Sequence, residues 1–320
     1  MTPATKAHWQ IHFCVLLWGF TAILGKLITL PALPLVWWRM LLVAGTLLLV
    51  PRVWRGLRAL PRRLAWSYAG VGALVGLHWL TFYGAVKLAN ASVAATCMAL
   101  ATVFVAVIEP RLAGRRLSMR DLALGIAVLP GVALVVGGVP GEMRAGVAVG
   151  ALSALFVALF GSFNKRLVDR ADPLTVTTIE LGAGTLTLTL LWPVLAVAAP
   201  VFAGGFVVPG ARDAGLLLLL AFACTLLPFA LSLVALRHMS AFSAQLAVNL
   251  EPVYAIVLAI LLLGEQRELT PAFYAGVAII MAAVLVHPLL SRRRTTAPPE
   301  LHAENLVTGE ARDLLDTRRD

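Results

Sequence analysis

Glu251 stands inside a long apolar run, directly before Pro252. A proline lacks an amide donor, frees a carbonyl one turn earlier and kinks the helix. A freed carbonyl beside a carboxylate suits a cation or a proton in a broken membrane helix. Gln245, Asn249 and Pro252 share one stripe, four and three residues apart. Glu251 points roughly 200° away from Asn249, so the two share a site only if the kink rotates the turn. Glu180 lies in another apolar run, one turn after Thr177, with no charged partner in its own helix. Arg39 or Lys26 is its expected mate, either as a structural ion pair or as part of a coupling site. Lys26 near its run's end also suits simple snorkelling. His78, which changes charge near neutral pH, precedes Trp79, and Tyr83 follows one turn later. These rings suit a pocket wall, a cation platform or an interfacial belt. Trp18, Thr21 and Gly25 form a further stripe that offers close approach beside one bulky wall.

Ionisable groups matter here because a charge in lipid is costly unless it is paired, snorkels or faces a wet cavity. That the chain is a membrane protein follows from its bulk. Hydrophobic residues make up 60%, charged residues 13%, and mean hydropathy is +0.89. Soluble domains carry roughly 25% charged residues. The formal charge of +10 is not a nucleic-acid footprint: the segment from Ser291 holds six Arg and six acids, so the excess lies in short loops between apolar runs. Cys14, Cys97 and Cys224 each sit in an apolar run without CxxC spacing and read as buried hydrophobes. No cofactor or metal site is indicated, and no cleavable signal peptide is evident.

Ten spans are expected, at roughly 9–29, 34–51, 65–86, 91–110, 121–139, 145–165, 173–199, 214–236, 241–263 and 270–289. Residues 291–320 read as a disordered cytoplasmic tail. Alternate loops carry sixteen Lys/Arg against four, which predicts that both termini are cytoplasmic. The loops richest in arginine are Arg52–Arg63 and Arg111–Arg120. Glu109, at the end of the fourth span, is expected to pair with Arg111 at that interface. Asn90 and Ser92 read as helix-start residues.

Residues Ala85–Gly114 and Ala235–Gly264 match at a constant offset of 150. Ala91/Ala241, Leu100/Leu250, Val107/Val257 and Gly114/Gly264 coincide, and Lys87 meets Arg237. At an offset of 139, Lys26 meets Lys165, and Pro34-Leu35 meets Pro173-Leu174. The expected architecture is an all-α integral membrane protein, with ten transmembrane helices as two inverted five-helix repeats, 1–139 and 145–289. An odd number of spans per repeat turns the second copy over. Such a molecule can expose a midplane site to either side in turn.

Three segments carry a family resemblance: LLWGFTAILGKL (Leu16–Leu27), FYGAVKLANASVAA (Phe82–Ala95) and ALRHMSAFSAQLAVNLEPVYAIVLAILLLGE (Ala235–Glu265). Over residues 9 to 289 the chain resembles the drug/metabolite transporter superfamily, in particular its proteins with two EamA-type repeats. The resemblance implies a ten-helix inner-membrane carrier, often an exporter of amino acids or other metabolites. Two departures lie in the first repeat: Gly114-Arg115-Arg116 replaces a common Gly-Glu-Arg, and Thr102 stands where a proline is frequent. The second repeat keeps Pro252 and Gly264-Glu265.

The leading expectation is a secondary carrier of a small metabolite, driven by a proton or solute gradient. No G-x-x-x-x-G-K-[ST] loop is present for ATP binding. A lipid or polyprenyl flippase of the same architecture is the alternative; a lateral apolar opening with a basic pocket would favour it. An enzyme on lipid-linked substrates is disfavoured, because the acids are single rather than paired as DxxD. A net-positive site (Lys26, Arg39) would take an anion or zwitterion, and a net-negative one (Glu180, Glu251) a cation. Stripes of small residues serve packing within one chain or in a homodimer equally well.

Overall fold

The computed structural model describes residues 2–114, 116–205, 207–248 and 250–291, and every regular element among them is helical. In chain order they are α1 (Pro3–Leu27), α2 (Ala32–Leu48), α3 (Pro51–Ala59), α4 (Arg62–Leu88), α5 (Ala91–Cys97), α6 (Ala101–Leu112), α7 (Met119–Ala127) and α8 (Leu129–Gly137). There follow α9 (Arg144–Leu167), α10 (Pro173–Ala198), α11 (Pro200–Ala203), α12 (Ala211–Ala221), α13 (Leu227–Leu236), α14 (Ala241–Val248), α15 (Glu251–Leu263) and α16 (Pro271–Ser291). Residues to Val284 form one compact unit. Asn249 and the expected tail beyond Ser291 lie outside the described residues.

Among the described residues, seven helical stretches are long and apolar enough to cross a membrane; α2, bent 91° into α3, makes an eighth. Gly125–Gly137 and Pro271–Ala283 are apolar but shorter. The bend after α2 has a local cause. Pro51 pushes Val50 into extended backbone and then opens α3 as a first-turn proline. The expected span at 121–139 is two short helices, since Pro130 withholds the donor that Ile126 would need.

The matched stretches of the two repeats, Ala91–Leu112 and Ala241–Leu263, break at matching places. The first passes through a 3₁₀ turn at Met98–Leu100, and in the second Leu250, the match of Leu100, is a turn residue just ahead of α15. They run antiparallel, α5 against α15 and α6 against α14. Each caps the other. Glu265, just past α15, accepts from the backbone N–H groups of Ala91 (3.1 Å) and Ser92 (3.0 Å) and from the Ser92 hydroxyl (2.7 Å). Glu109, near the end of α6, accepts from the N–H groups of Ala241 (3.1 Å) and Phe242 (2.7 Å). A carboxylate at a helix N-terminus satisfies orphan donors and complements the dipole. Glu109 therefore does not pair with Arg111, whose guanidinium turns back to the Val107 carbonyl.

The offset pair Lys87 and Arg237 also repeats its work. Lys87 donates to the Ile28 carbonyl past α1, and Arg237 donates to the Val168 and Ala171 carbonyls past α9. Each cation closes the C-terminus of its own repeat's first long helix. Packing elsewhere relies on backbone approach. Gly72 of α4 sits against the Glu180 backbone, and Gly184 of α10 faces the Gly72 carbonyl. Any side chain at either glycine would push α4 and α10 apart.

Candidate functional site

A cavity of about 120 Å³ lies among α1, α2, α4, α6, α9, α13, α14 and α15, lined by residues of both repeats. Its walls are aromatic: Trp18, Trp79, Phe82, Phe160 and Phe229. Its polar groups are Thr21, Arg39, His78, Asn164, Ser232, Gln245 and Glu251. The lining reaches Ile11, Asn164, Leu236 and Ala241, toward the end of the molecule that carries Arg52–Arg63 and Arg166–Arg170.

Arg39 lines the cavity from α2. It is 2% exposed and stacks over the Trp79 ring at 3.9 Å. Its Nε donates to the Thr225 hydroxyl (2.5 Å), Nη1 to the Tyr83 hydroxyl (2.8 Å) and Nη2 to the Cys224 carbonyl (3.3 Å). That carbonyl is available for a sequence reason. Pro228, four residues on, has no N–H to give it, and the helix widens into a π turn over Phe222–Leu226. Tyr83, a layer behind the cavity, donates its hydroxyl to the Thr21 carbonyl (3.4 Å).

Glu251 occupies the first turn of α15, with Pro252 beside it where a missing N–H costs nothing. Its carboxylate thus sits at the positive end of a half-helix and on the cavity wall. Gln245 reaches the same wall, and its Nε2 has no hydrogen-bond partner among the described residues. Both residues line the cavity, Gln245 from α14 and Glu251 from the first turn of α15.

His78 also lines the cavity, but its Nδ1 is engaged with the Ser153 hydroxyl (2.8 Å) and carbonyl (3.0 Å). The residue ties α4 to α9 as well as facing the site. Trp18 and Trp79 stand on the wall as expected stripes allow.

Besides Tyr83, two expected residues stand off the cavity wall. Lys26 is exposed in the last turn of α1, where a cation favours the helix C-terminus, and does not line the cavity. Glu180 is fully buried behind Asn164, whose Nδ2 donates to it at 3.2 Å. Neither Arg39 nor Lys26 is its mate: among the described residues the single ion pair is Arg52–Asp172. Asn164 is the residue the sequence reading passed over. Its amide holds Glu180 with the nitrogen, while its Oδ1 has no hydrogen-bond partner among the described residues. A polar residue one turn inside the end of an apolar run was the available signal, hidden by the adjacent Lys165-Arg166.

Arranged this way, the cavity offers one cation, one carboxylate and the amides of Asn164 and Gln245 among aromatic rings. It can hold a small amphipathic solute bearing both charges.

Known proteins agree with this architecture. No curated protein matches the sequence. Among solved structures, a crystal structure described only as that of a protein superposes with a TM-score of 0.65 at 18% identity, covering 91% of this chain and 99% of the other. That likeness bears on the fold. The model of the EamA-like transporter family matches twice, over residues 6–137 and 144–287. With both halves matched, this multi-pass membrane chain belongs to the EamA-like transporter family, within the drug/metabolite transporter superfamily.

Proposed function

We propose that the protein is a secondary carrier that exports a small zwitterionic metabolite, such as an amino acid, by alternating access. The observation that carries this reading is the joint presence of Arg39 and Glu251 on one cavity wall formed by both repeats. A carboxylate would approach Arg39, an ammonium Glu251, and the side chain the rings of Trp18, Trp79 and Phe160. Asn164 and Gln245 would add hydrogen bonds from groups otherwise left without partners. The proton is the proposed coupling ion, with Glu251 or Glu180 as its carrier.

The arginine-rich loops would face the cytoplasm of a cell with this chain in its inner membrane. The cavity then opens inward. Binding from the inside followed by opening past Arg39 gives export. Asn249 remains a candidate from its stripe with Gln245, and the repeats 1–139 and 145–289 are the proposed moving halves.

A flippase needs a lateral apolar opening with basic groups, and a groove of that kind exists beside α13. It lies on the opposite face of α13 from the cavity, whose share of that helix is Phe229, Ser232, Leu233 and Leu236. The groove therefore supports lipid contact better than a lipid path.

Uptake into proteoliposomes tests the proposal, with labelled amino acids and small amines screened with and without a proton gradient. Gradient-dependent flux that is lost in Glu251→Gln is the expected result. Absence of solute flux, alongside movement of labelled lipid between leaflets, would overturn it.

A further inference from the structure

The groove beside α13 has a volume of about 710 Å³ and is floored by Leu47, Leu174, Phe222, Leu227, Ala230 and Leu231. Its lining follows the chain from Phe222 in the π turn through α13 to Arg237, a rise of roughly 20 Å at about 1.5 Å per residue. That exceeds the ~15 Å depth of one leaflet's hydrocarbon, so the groove runs from mid-membrane to the arginine-rich interface. An acyl chain fits this length and this lining.

The mouth is basic. Arg52 and Arg237 stand there with Asp172. Asp172 already accepts from the Thr175 N–H at the start of α10 and pairs with Arg52 at 2.6 Å. Even so, the Arg52 side chain is 67% exposed, with donors left over for a phosphate. Arg52 belongs to α3, whose 91° bend from α2 lays it across the direction of the spans. Val53 of α3 is buried, while Arg55 and Arg58 face outward. A short amphipathic helix with this division lies in the headgroup layer.

We propose that this groove seats one anionic phospholipid of the arginine-rich leaflet, with an acyl chain along α13 and its phosphate at Arg52. The bulk annulus does not explain the combination of a leaflet-deep cleft and an interfacial arginine helix at its mouth. The seat has a consequence for the cavity. Leu227, Ala230 and Leu231 face the lipid, and Phe229, Ser232 and Leu233 on the same helix line the cavity. A seated lipid braces α13 from behind. The inference does not depend on which solute is carried.

Native mass spectrometry of the purified full chain tests it, with phosphatidylglycerol and phosphatidylcholine of matched chains in equal amounts. One phosphatidylglycerol should be retained per protein, preferred by about fivefold, the contribution of one arginine near an anionic headgroup. Arg52→Gln should bring the two lipids to parity. Ala230→Trp should fill the groove and release both. Leu227→Trp, at a position 48% exposed, should do the same without burdening the core if Ala230→Trp elutes as misfolded protein. Equal retention of both lipids by the unaltered chain would overturn the proposal. So would retention unchanged by the tryptophan variants.

Discussion

At the end opposite the arginines, Glu265 accepts three hydrogen bonds at the start of α5 and is 1% exposed. At the arginine-rich end Glu109 accepts two at the start of α14 and is 8% exposed. The construction is repeated: an antiparallel pair of broken helices, each capped by the other. The layer beneath is not repeated. In the first repeat's second span, Arg39 gathers Trp79, Tyr83 and Thr225 around it at the cavity. At the offset of 139 that relates the earlier spans of the repeats, the position matching Arg39 is Thr178, whose hydroxyl merely bonds back to the Leu174 carbonyl. The caps are duplicated, whereas the Arg39 clamp has no counterpart at Thr178.

The largest effect should come from removing that clamp. Arg39→Ala leaves the Tyr83 hydroxyl and Cys224 carbonyl without their donor, at about 1–3 kcal/mol each. Labelling of Cys224 by an impermeant maleimide, applied from the arginine-poor side, should rise at least about tenfold, the factor that 1.4 kcal/mol commands. Labelling that stays at the level of the unaltered chain would show that Arg39 is not the barrier.

Next come the caps. Glu265→Gln keeps the shape but loses charge-assisted bonds, at about 1.5–3 kcal/mol. It should favour opening at the arginine-poor end, while Glu109→Gln should favour the other. Opposite changes in Cys224 labelling for the two variants would sharpen the comparison; changes of the same sign would break it. Smaller again, Asn164→Ala should raise the KM for transport by about tenfold, the worth of one hydrogen bond to a charged group. The kcat should stay near that of the unaltered protein. Lys26→Ala should do least, shifting stability by less than about 0.5 kcal/mol as an exposed surface change, read as an unmoved thermal transition.

Much of this frame was legible in the sequence. Runs of apolar residues broken by Pro, Gly and charge locate helices because backbone in lipid must satisfy itself. The offset of 150 foretold that Ala91 and Ala241 would play matching parts. Local punctuation was read less well. Pro252 looked like a kink, yet it sits in the first turn of α15, and the first repeat turns at Met98–Leu100 with no proline at all. The site was only half legible. Arg39, Glu251, Gln245, Trp18, Trp79 and His78 stood out as polar or aromatic residues in apolar runs. Their partners did not, because those partners are backbone groups released at a distance. Pro228 frees the Cys224 carbonyl for Arg39, and the crossing of two broken helices delivers Glu109 to Ala241. Closeness in sequence at a span's end alone put Glu109 with Arg111. Glu180 looked like half of an ion pair because a buried acid invites one, whereas a neutral amide holds it.

The most direct test of the alternating-access account is the sidedness of the cavity itself. Gln245→Cys, in a chain with Cys14, Cys97 and Cys224 replaced by serine, would be labelled with an impermeant maleimide in vesicles of known orientation. Labelling from the side that bears Arg52–Arg63, and from the other side once Arg39→Ala is added, is what the account predicts. Equal labelling from both sides with Arg39 intact would contradict it.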